Sequence, residues 1–293
     1  MRSFLSFCAV AGIAAAAVFW VITRPAELDA SWADLTAGSA EAGALVFAAS
    51  GCASCHTAPS TETQGDAQVL AGGKAFATDF GTFYAPNISS DPKAGIGAWS
   101  LAEFARAVTL GVSPEGAHYY PAFPYSAYTK MVPDDVADLF AYMQTLPAAT
   151  APSLTHDVRF PFSQRRALGA WKALYMTDAY HLADVPTAEL ERGRYLVEAL
   201  AHCAECHTPR NALGGLDQIR WMEGAPDPAG TGRIPAITPR LLDWSESDLV
   251  AYFTTGLTPD YDSAGGDMVS VIENLAKLPD ADRAAIAAYL GAL

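Results

Sequence analysis

A chain of 293 residues suffices for one large or two ordinary domains, and a composition 51% hydrophobic and 17% charged excludes a disordered polypeptide. Asp plus Glu number 32 against 18 Lys plus Arg, and the net charge of −14 excludes nucleic acid as a partner, because phosphate binding needs a basic face. The acidic balance favours solubility and steers basic partners toward the surface.

Residues 4–22 carry no charge. At about 1.5 Å per residue they reach about 28 Å, close to the ~30 Å hydrocarbon core of a bilayer. Arg2 precedes the run and Arg24-Pro25 closes it. An export signal has a shorter apolar centre of about 7–15 residues and a small-residue cleavage site. Leu28-Asp29-Ala30 is a poor version of such a site, so residues 1–24 read as a single-pass membrane anchor, with a removed signal as the alternative. Cys8 reads as a small apolar residue of that segment.

The other four cysteines form two copies of one pattern, Cys52-Ala53-Ser54-Cys55-His56 and Cys203-Ala204-Glu205-Cys206-His207. C-x-x-C-H is the haem c attachment pattern: two thiols one helical turn apart each form a thioether with one vinyl of a porphyrin, and the adjacent imidazole reaches the iron. A zinc site would bring paired C-x-x-C motifs within about 15–20 residues of each other. Here they lie far apart and each has its own His. Disulfides would leave His56 and His207 unexplained. Two covalently bound haem c groups are therefore expected, with His56 and His207 as proximal ligands.

Both motifs sit in a longer repeat. Upstream, Glu41-Ala42-Gly43 resembles Glu191-Arg192-Gly193, each within a helix that has Gly on its packing face. Downstream, Leu70-Ala71-Gly72-Gly73 pairs with Leu213-Gly214-Gly215. Trp99-Ser100 and Trp244-Ser245 each begin a helix capped by Ser, with Glu103 completing a capping box in the first and Asp248 standing at the same place in the second. Those helices should stop at Gly111 and Gly256. Val112-Ser113-Pro114-Glu115 then matches Leu257-Thr258-Pro259-Asp260, and final helices open at Pro133 and Pro279 and run to Tyr142 and Tyr289. Few segments alternate long enough to be strands. The expected architecture is all-α: two small haem domains, residues 36–148 and 187–293, joined by residues 149–186. That linker contains a short helix whose aromatic stripe packs between the domains, and Arg165 and Arg166 face either solvent or haem propionates.

Methionine opposite histidine raises haem potential and closes the iron to small ligands. Met268, before the last helix of the second unit, is the expected sixth ligand there, and Met222, only 15 residues past His207, is expected to pack instead. In the first unit, counting forward from the matched prolines sets Phe123 opposite Met268, and counting back from the matched Ala-Tyr pairs sets Met131 opposite Leu278. Met131 is the chosen ligand, His118 the rival, and an open iron the third possibility.

The repeat unit resembles the small all-α cytochrome c fold, in which terminal helices cross at a Gly–aromatic contact. Tyr84-Ala85-Pro86-Asn87-Ile88, Gly95-Ile96-Gly97-Ala98-Trp99 and Tyr119-Tyr120-Pro121-Ala122-Phe123-Pro124-Tyr125 are similar to the cytochrome c subunits of membrane-bound bacterial alcohol and gluconate dehydrogenases. Most members carry three haems where this chain has two motifs, and many have Met in place of Phe123. The resemblance implies a periplasmic relay on the cytoplasmic membrane that takes electrons from a dehydrogenase subunit and hands them to quinone or a further cytochrome. The alternative is a dihaem enzyme such as a peroxidase, working at an open first iron.

Overall fold

The computed structural model describes residues 2–32, 36–58, 68–228, 230 and 232–293. Helices account for most of the ordered elements: α1 (Arg2–Ile22), α2 (Ala40–Ala49), α3 (Cys52–His56), α4 (Leu101–Leu110), α5 (Tyr125–Tyr128), α6 (Pro133–Met143), α7 (Leu168–Tyr175), α8 (Ala188–Tyr195), α9 (Ala204–His207), α10 (Glu246–Thr255), α11 (Met268–Leu275) and α12 (Asp280–Ala292). A π-turn over Leu196–Leu200 continues α8 toward the second motif. The strands are short: β1 (Ala75–Thr78), β2 (Gly81–Tyr84) and β3 (Asp157–Val158) make one antiparallel sheet, and β4 (Ala225–Pro226) pairs with β5 (Arg233–Ile234). None reaches the length at which alternation becomes readable in a sequence, so the all-α expectation missed them.

Each half is organised by a crossing of its first and last helices, α2 on α6 and α8 on α12. Glycine permits the crossing in both. A Cβ on Gly43 would overlap the Asp138 carbonyl and lie 2.8 Å from Tyr142 Cβ; one on Gly193 would overlap the Ala285 carbonyl and lie 2.7 Å from Tyr289 Cβ. Ser100–Glu103 and Ser245–Asp248 both form complete capping boxes, so Asp248 does what Glu103 does. Gly111 and Gly256 end those helices in the left-handed region, at φ 59° and 76°.

The segment after the first unit is not a free connector. Asn87 Nδ2 donates to the carbonyls of Ala149 (2.7 Å) and Ala151 (2.8 Å), and β3 lies along β2. Farther on, the aromatic stripe packs between the halves as expected: Trp171 Nε1 donates to Leu213 O at 2.9 Å, and its ring meets Tyr125 edge-on at 6.4 Å. Neither Arg165 nor Arg166 lies on a purely solvated face. Arg165 Nε donates to His118 O at 2.6 Å, and Arg166 donates to Thr23 Oγ1 and Trp20 O at the end of α1.

α1 is long and apolar enough to cross a membrane, over Ser3–Ile22. Its C-terminal end is received by the folded part of the chain. Thr23 is fully buried against Gly169 on α7, and Arg106 pairs with Glu27 at 2.7 Å.

The helix crossings yield a stability prediction. Gly43→Val and Gly193→Val should each destabilise by about 1–3 kcal/mol, the usual cost of overpacking a contact that cannot yield. Denaturant titration of the purified holoprotein, followed by circular dichroism, reads the loss. A variant as stable as the parent would contradict the crossing.

Candidate functional site

Each C-x-x-C-H motif forms one turn of helix, α3 and its counterpart α9 with Cys203 as N-cap, so the two thiols lie a turn apart and the histidine closes the turn. Both turns are entered through a left-handed residue, Gly51 at φ 61° and His202 at φ 41°. His202 holds this unusual position with its Nδ1 2.8 Å from Leu200 O and its ring 5.5 Å from Tyr128. Burial pushes the thiols up, to about 12 for Cys52 and Cys203, about 11 for Cys206, and upward also for Cys55. Burial therefore favours the neutral thiol over the thiolate at each of these positions before attachment. Among the described residues no three His, Cys, Asp or Glu side chains gather as a metal site.

The histidines are held alike. His56 Nδ1 lies 2.8 Å from Pro86 O, and His207 Nδ1 lies 2.8 Å from Pro235 O. A carbonyl only accepts, so Nδ1 carries the proton and Nε2 keeps its lone pair for a metal. Burial lowers the pKa of both imidazoles, keeping them neutral as a ligand must be. This second contact fixes the ring and raises its basicity. Two thiols and an imidazole on one turn, with the imidazole aimed by a carbonyl and its Nε2 spare, fit a covalently attached porphyrin in both halves. The carbonyl partners Pro86 and Pro235 were not assigned this role from the sequence. The available signal was Pro-x-Ile at Pro86-Asn87-Ile88 and Pro235-Ala236-Ile237, 30 and 28 residues past each histidine.

One expected pairing is corrected. Gly72 N donates to His56 O (2.7 Å) and Ile88 N to Leu70 O (3.0 Å); in the other half Gly224 N donates to His207 O (2.8 Å) and Ile237 N to Met222 O (3.0 Å). The counterpart of Leu70–Gly72 is therefore Met222–Gly224, not Leu213-Gly214-Gly215, whose glycines serve a separate turn against Tyr175 and Phe80. Met222 takes the place of Leu70, both fully buried, so it packs as expected.

On the opposite side, Tyr119 N→Gly111 O (2.7 Å) matches Ala264 N→Gly256 O (2.8 Å), which sets Phe123 in register with Met268. Met268 begins α11 and is half-buried. Phe123 joins a ring cluster with Tyr119, Tyr125 and Tyr128. Met131, 4% exposed, follows α5 as Leu278 follows α11, with Met131 N→Tyr128 O matching Leu278 N→Leu275 O. His118 is committed elsewhere: its Nε2 donates to Thr23 O at 3.0 Å at the end of α1.

The two motifs face each other. Asn274 Nδ2, on α11, donates to Ser54 Oγ inside the first motif (3.0 Å), and Ser126 Oγ, on α5, donates to Glu205 inside the second (2.8 Å). Ser54 and Glu205 occupy the same place in their motifs, so the docking is reciprocal. Lys74 Nζ pairs with Asp267, beside Met268, at 3.2 Å. Between the motifs stands Tyr128, its hydroxyl donating to Ser50 O (3.0 Å) and its ring against His202.

Gly224→Val tests the imidazole support. A Cβ there would lie 2.7 Å from Ile234 O and 2.9 Å from Ala236 N, displacing the Pro235 carbonyl. Losing an acceptor for Nδ1–H makes the imidazole a poorer donor and stabilises the ferric state less. A hydrogen bond of ~0.5–1 kcal/mol converts to a rise of about 20–40 mV in one haem's potential, read by spectroelectrochemistry. No change, or a fall, would contradict that support.

Comparison with known proteins accords with this geometry. Residues 40–147 match the family model described as Cytochrome c. The chain is 52% identical over 291 residues to the "Diheme cytochrome c-type" protein of Cereibacter sphaeroides, covering 99% of this chain and 97% of that protein. It is 40% identical over 249 residues to the fructose dehydrogenase cytochrome subunit of Gluconobacter japonicus (83% of this chain, 50% of that protein). It is 32% identical over 285 residues to the cytochrome c subunit of alcohol dehydrogenase (quinone) of Gluconacetobacter polyoxogenes (89% and 57%). The chain thus spans about half the length of these two dehydrogenase subunits and nearly all of the first relative. With its two C-x-x-C-H turns and its end-to-end likeness to a dihaem protein, the chain belongs to the dihaem c-type cytochromes, which carry two covalently bound haem c groups.

Proposed function

We propose that this chain is a membrane-tethered electron relay. It takes electrons from a dehydrogenase subunit and passes them to quinone or another cytochrome on the periplasmic side of the cytoplasmic membrane, with α1 as a single-pass anchor. The reciprocal docking of the two motifs carries the reading, since it brings both attachment motifs to one interface, where bound haems would lie near enough for transfer within the chain. The relatives add support, being a dihaem cytochrome and cytochrome subunits of fructose and quinone-linked alcohol dehydrogenases, which favours the relay over a dihaem peroxidase.

In this reading residues 36–148 and 187–293 are tandem cytochrome c domains. Cys52 and Cys55 hold the first haem with His56 as proximal ligand; Cys203, Cys206 and His207 serve the second. Each bound haem supplies a one-electron iron couple. The protein's part is to orient the imidazoles through Pro86 and Pro235, to exclude water with the apolar cluster around Phe47, Phe104, Leu249 and Ile286, and to fix the spacing of the two sites. Met268 is the sixth ligand of the second iron. For the first we assign Met131, the buried methionine that closes α5 beside Tyr128, because His118 is tied to Thr23 and Phe123 has no donor atom.

The test uses the chain purified from detergent-solubilised membranes. It is expected to bring a dehydrogenase subunit with it, and that subunit's substrate should reduce both haems. Isolation without such a partner, together with rapid peroxide turnover by the chain alone, would overturn the relay. Met268→Ala should abolish the far-red ferric–methionine band of one haem and lower its potential by about 0.1 V or more, within the ~0.8 V that axial ligands span. Met131→Leu should do the same at the other haem. An unaltered band there contradicts the assignment of Met131, and a parent protein lacking that band has an open first iron.

A further inference from the structure

Residues 158–177 carry Arg159, Arg165, Arg166 and Lys172 and not one Asp or Glu, in a chain of net charge −14. This basic segment packs on the end of the apolar helix. The Arg166 guanidinium lies 4.2 Å over the Trp20 ring and donates to Trp20 O (2.7 Å) and Thr23 Oγ1 (2.9 Å), while Gly169 abuts Thr23. Trp20 belongs to the last turn of α1, so the segment runs at the depth where that span leaves the bilayer. It also exposes apolar side chains: Phe160 is 79%, Leu174 69% and Phe162 46% open. Neighbours hold the turn in place, with Tyr120 OH donating to Phe162 O (3.1 Å) and Phe80 edge-on to Phe162 at 5.0 Å.

We infer that residues 159–162 form a second membrane contact, in which Phe160 and Phe162 enter the interfacial layer of a bilayer containing anionic phospholipid and the exposed Arg159 pairs with its phosphates. The inference rests on α1 being a retained anchor. Three observations favour a lipid surface as occupant. The patch is continuous with the membrane helix; its charge opposes that of the rest of the chain and suits phosphate, which guanidinium binds bidentately; and exposed aromatics beside cations are the composition of segments lying in the membrane plane. Two attachments fix the tilt of the haem domains, where a lone helix would leave them free to swing. The orientation of the inter-haem interface relative to the membrane is then part of the fold.

The experiment uses the full-length holoprotein in nanodiscs of phosphatidylethanolamine and phosphatidylglycerol, in a Cys8→Ala background. Nitroxide labels are placed singly through Phe160→Cys, Ala14→Cys within α1, and Tyr261→Cys, a position 86% exposed in the second half. Relaxation by oxygen, which partitions into lipid, is compared with relaxation by a water-soluble nickel chelate. At position 160 the nickel effect should fall several-fold below that at 261 while the oxygen effect rises. Equal nickel access at 160 and 261 overturns the inference. If the label at 14 is then lipid-embedded, the anchor stands; if it too is open to nickel, the anchor falls as well. Shielding of position 160 only when a dehydrogenase subunit is added would assign the patch to a protein partner and equally overturn the lipid contact.

Discussion

The hydrogen bond from the proximal imidazole to a proline carbonyl is the constraint around which each half of this cytochrome is arranged. It decides which ring nitrogen carries the proton, and therefore which remains for iron. It also explains the local backbone. The loop after each motif must return to bring Pro86 or Pro235 beside its histidine, and the Gly72 and Gly224 amides bind the histidine carbonyls on the way. A side chain at either glycine would strike the proline segment, so the close approach and the left-handed backbone (φ 74° and 82°) are one requirement.

Around that constraint the halves keep their geometry while the intervening sequence slips. Equivalent residues are 150 apart at Gly43 and Gly193, 151 at Cys52 and Cys203, 149 at Pro86 and Pro235, 145 at Gly111 and Gly256, and 147 at Tyr142 and Tyr289. The extra residue before the second motif is taken up by the π-turn at Leu196–Leu200, and the later changes fall largely in loops, where length costs little free energy. The slip between Gly111 and Tyr142 is what leaves Phe123 facing Met268 and Met131 facing Leu278. The first half makes do with the four-residue α5 where the second has the eight-residue α11.

Most of the site could be read from residues with local signatures. The C-x-x-C-H turns, the serine caps, the helix-ending glycines and the glycine at each helix crossing have short-range causes, and they stand where the sequence put them. What escaped depends on contacts between distant segments. A backbone carbonyl has no residue type, so the roles of Pro86 and Pro235 were silent; the Gly-Gly likeness at 213–215 pointed to the wrong turn; and β1–β5 are too short to show a period. Nor could spacing foresee that His118 and Arg166 are committed to Thr23, because those contacts join the end of the apolar helix α1 to residues 95 and 143 positions away. The reciprocal bonds Ser54–Asn274 and Ser126–Glu205 likewise join segments far apart in the chain.

The central claim is that residues 52–56 and 203–207 each hold one haem through two thioethers. Proteolysis of the purified chain followed by peptide mass spectrometry addresses it directly. The account predicts two separate haem-bearing peptides, one spanning each motif, with no free thiol in either. A motif peptide recovered at its unmodified mass, or with its two cysteines joined as a disulfide, would contradict it.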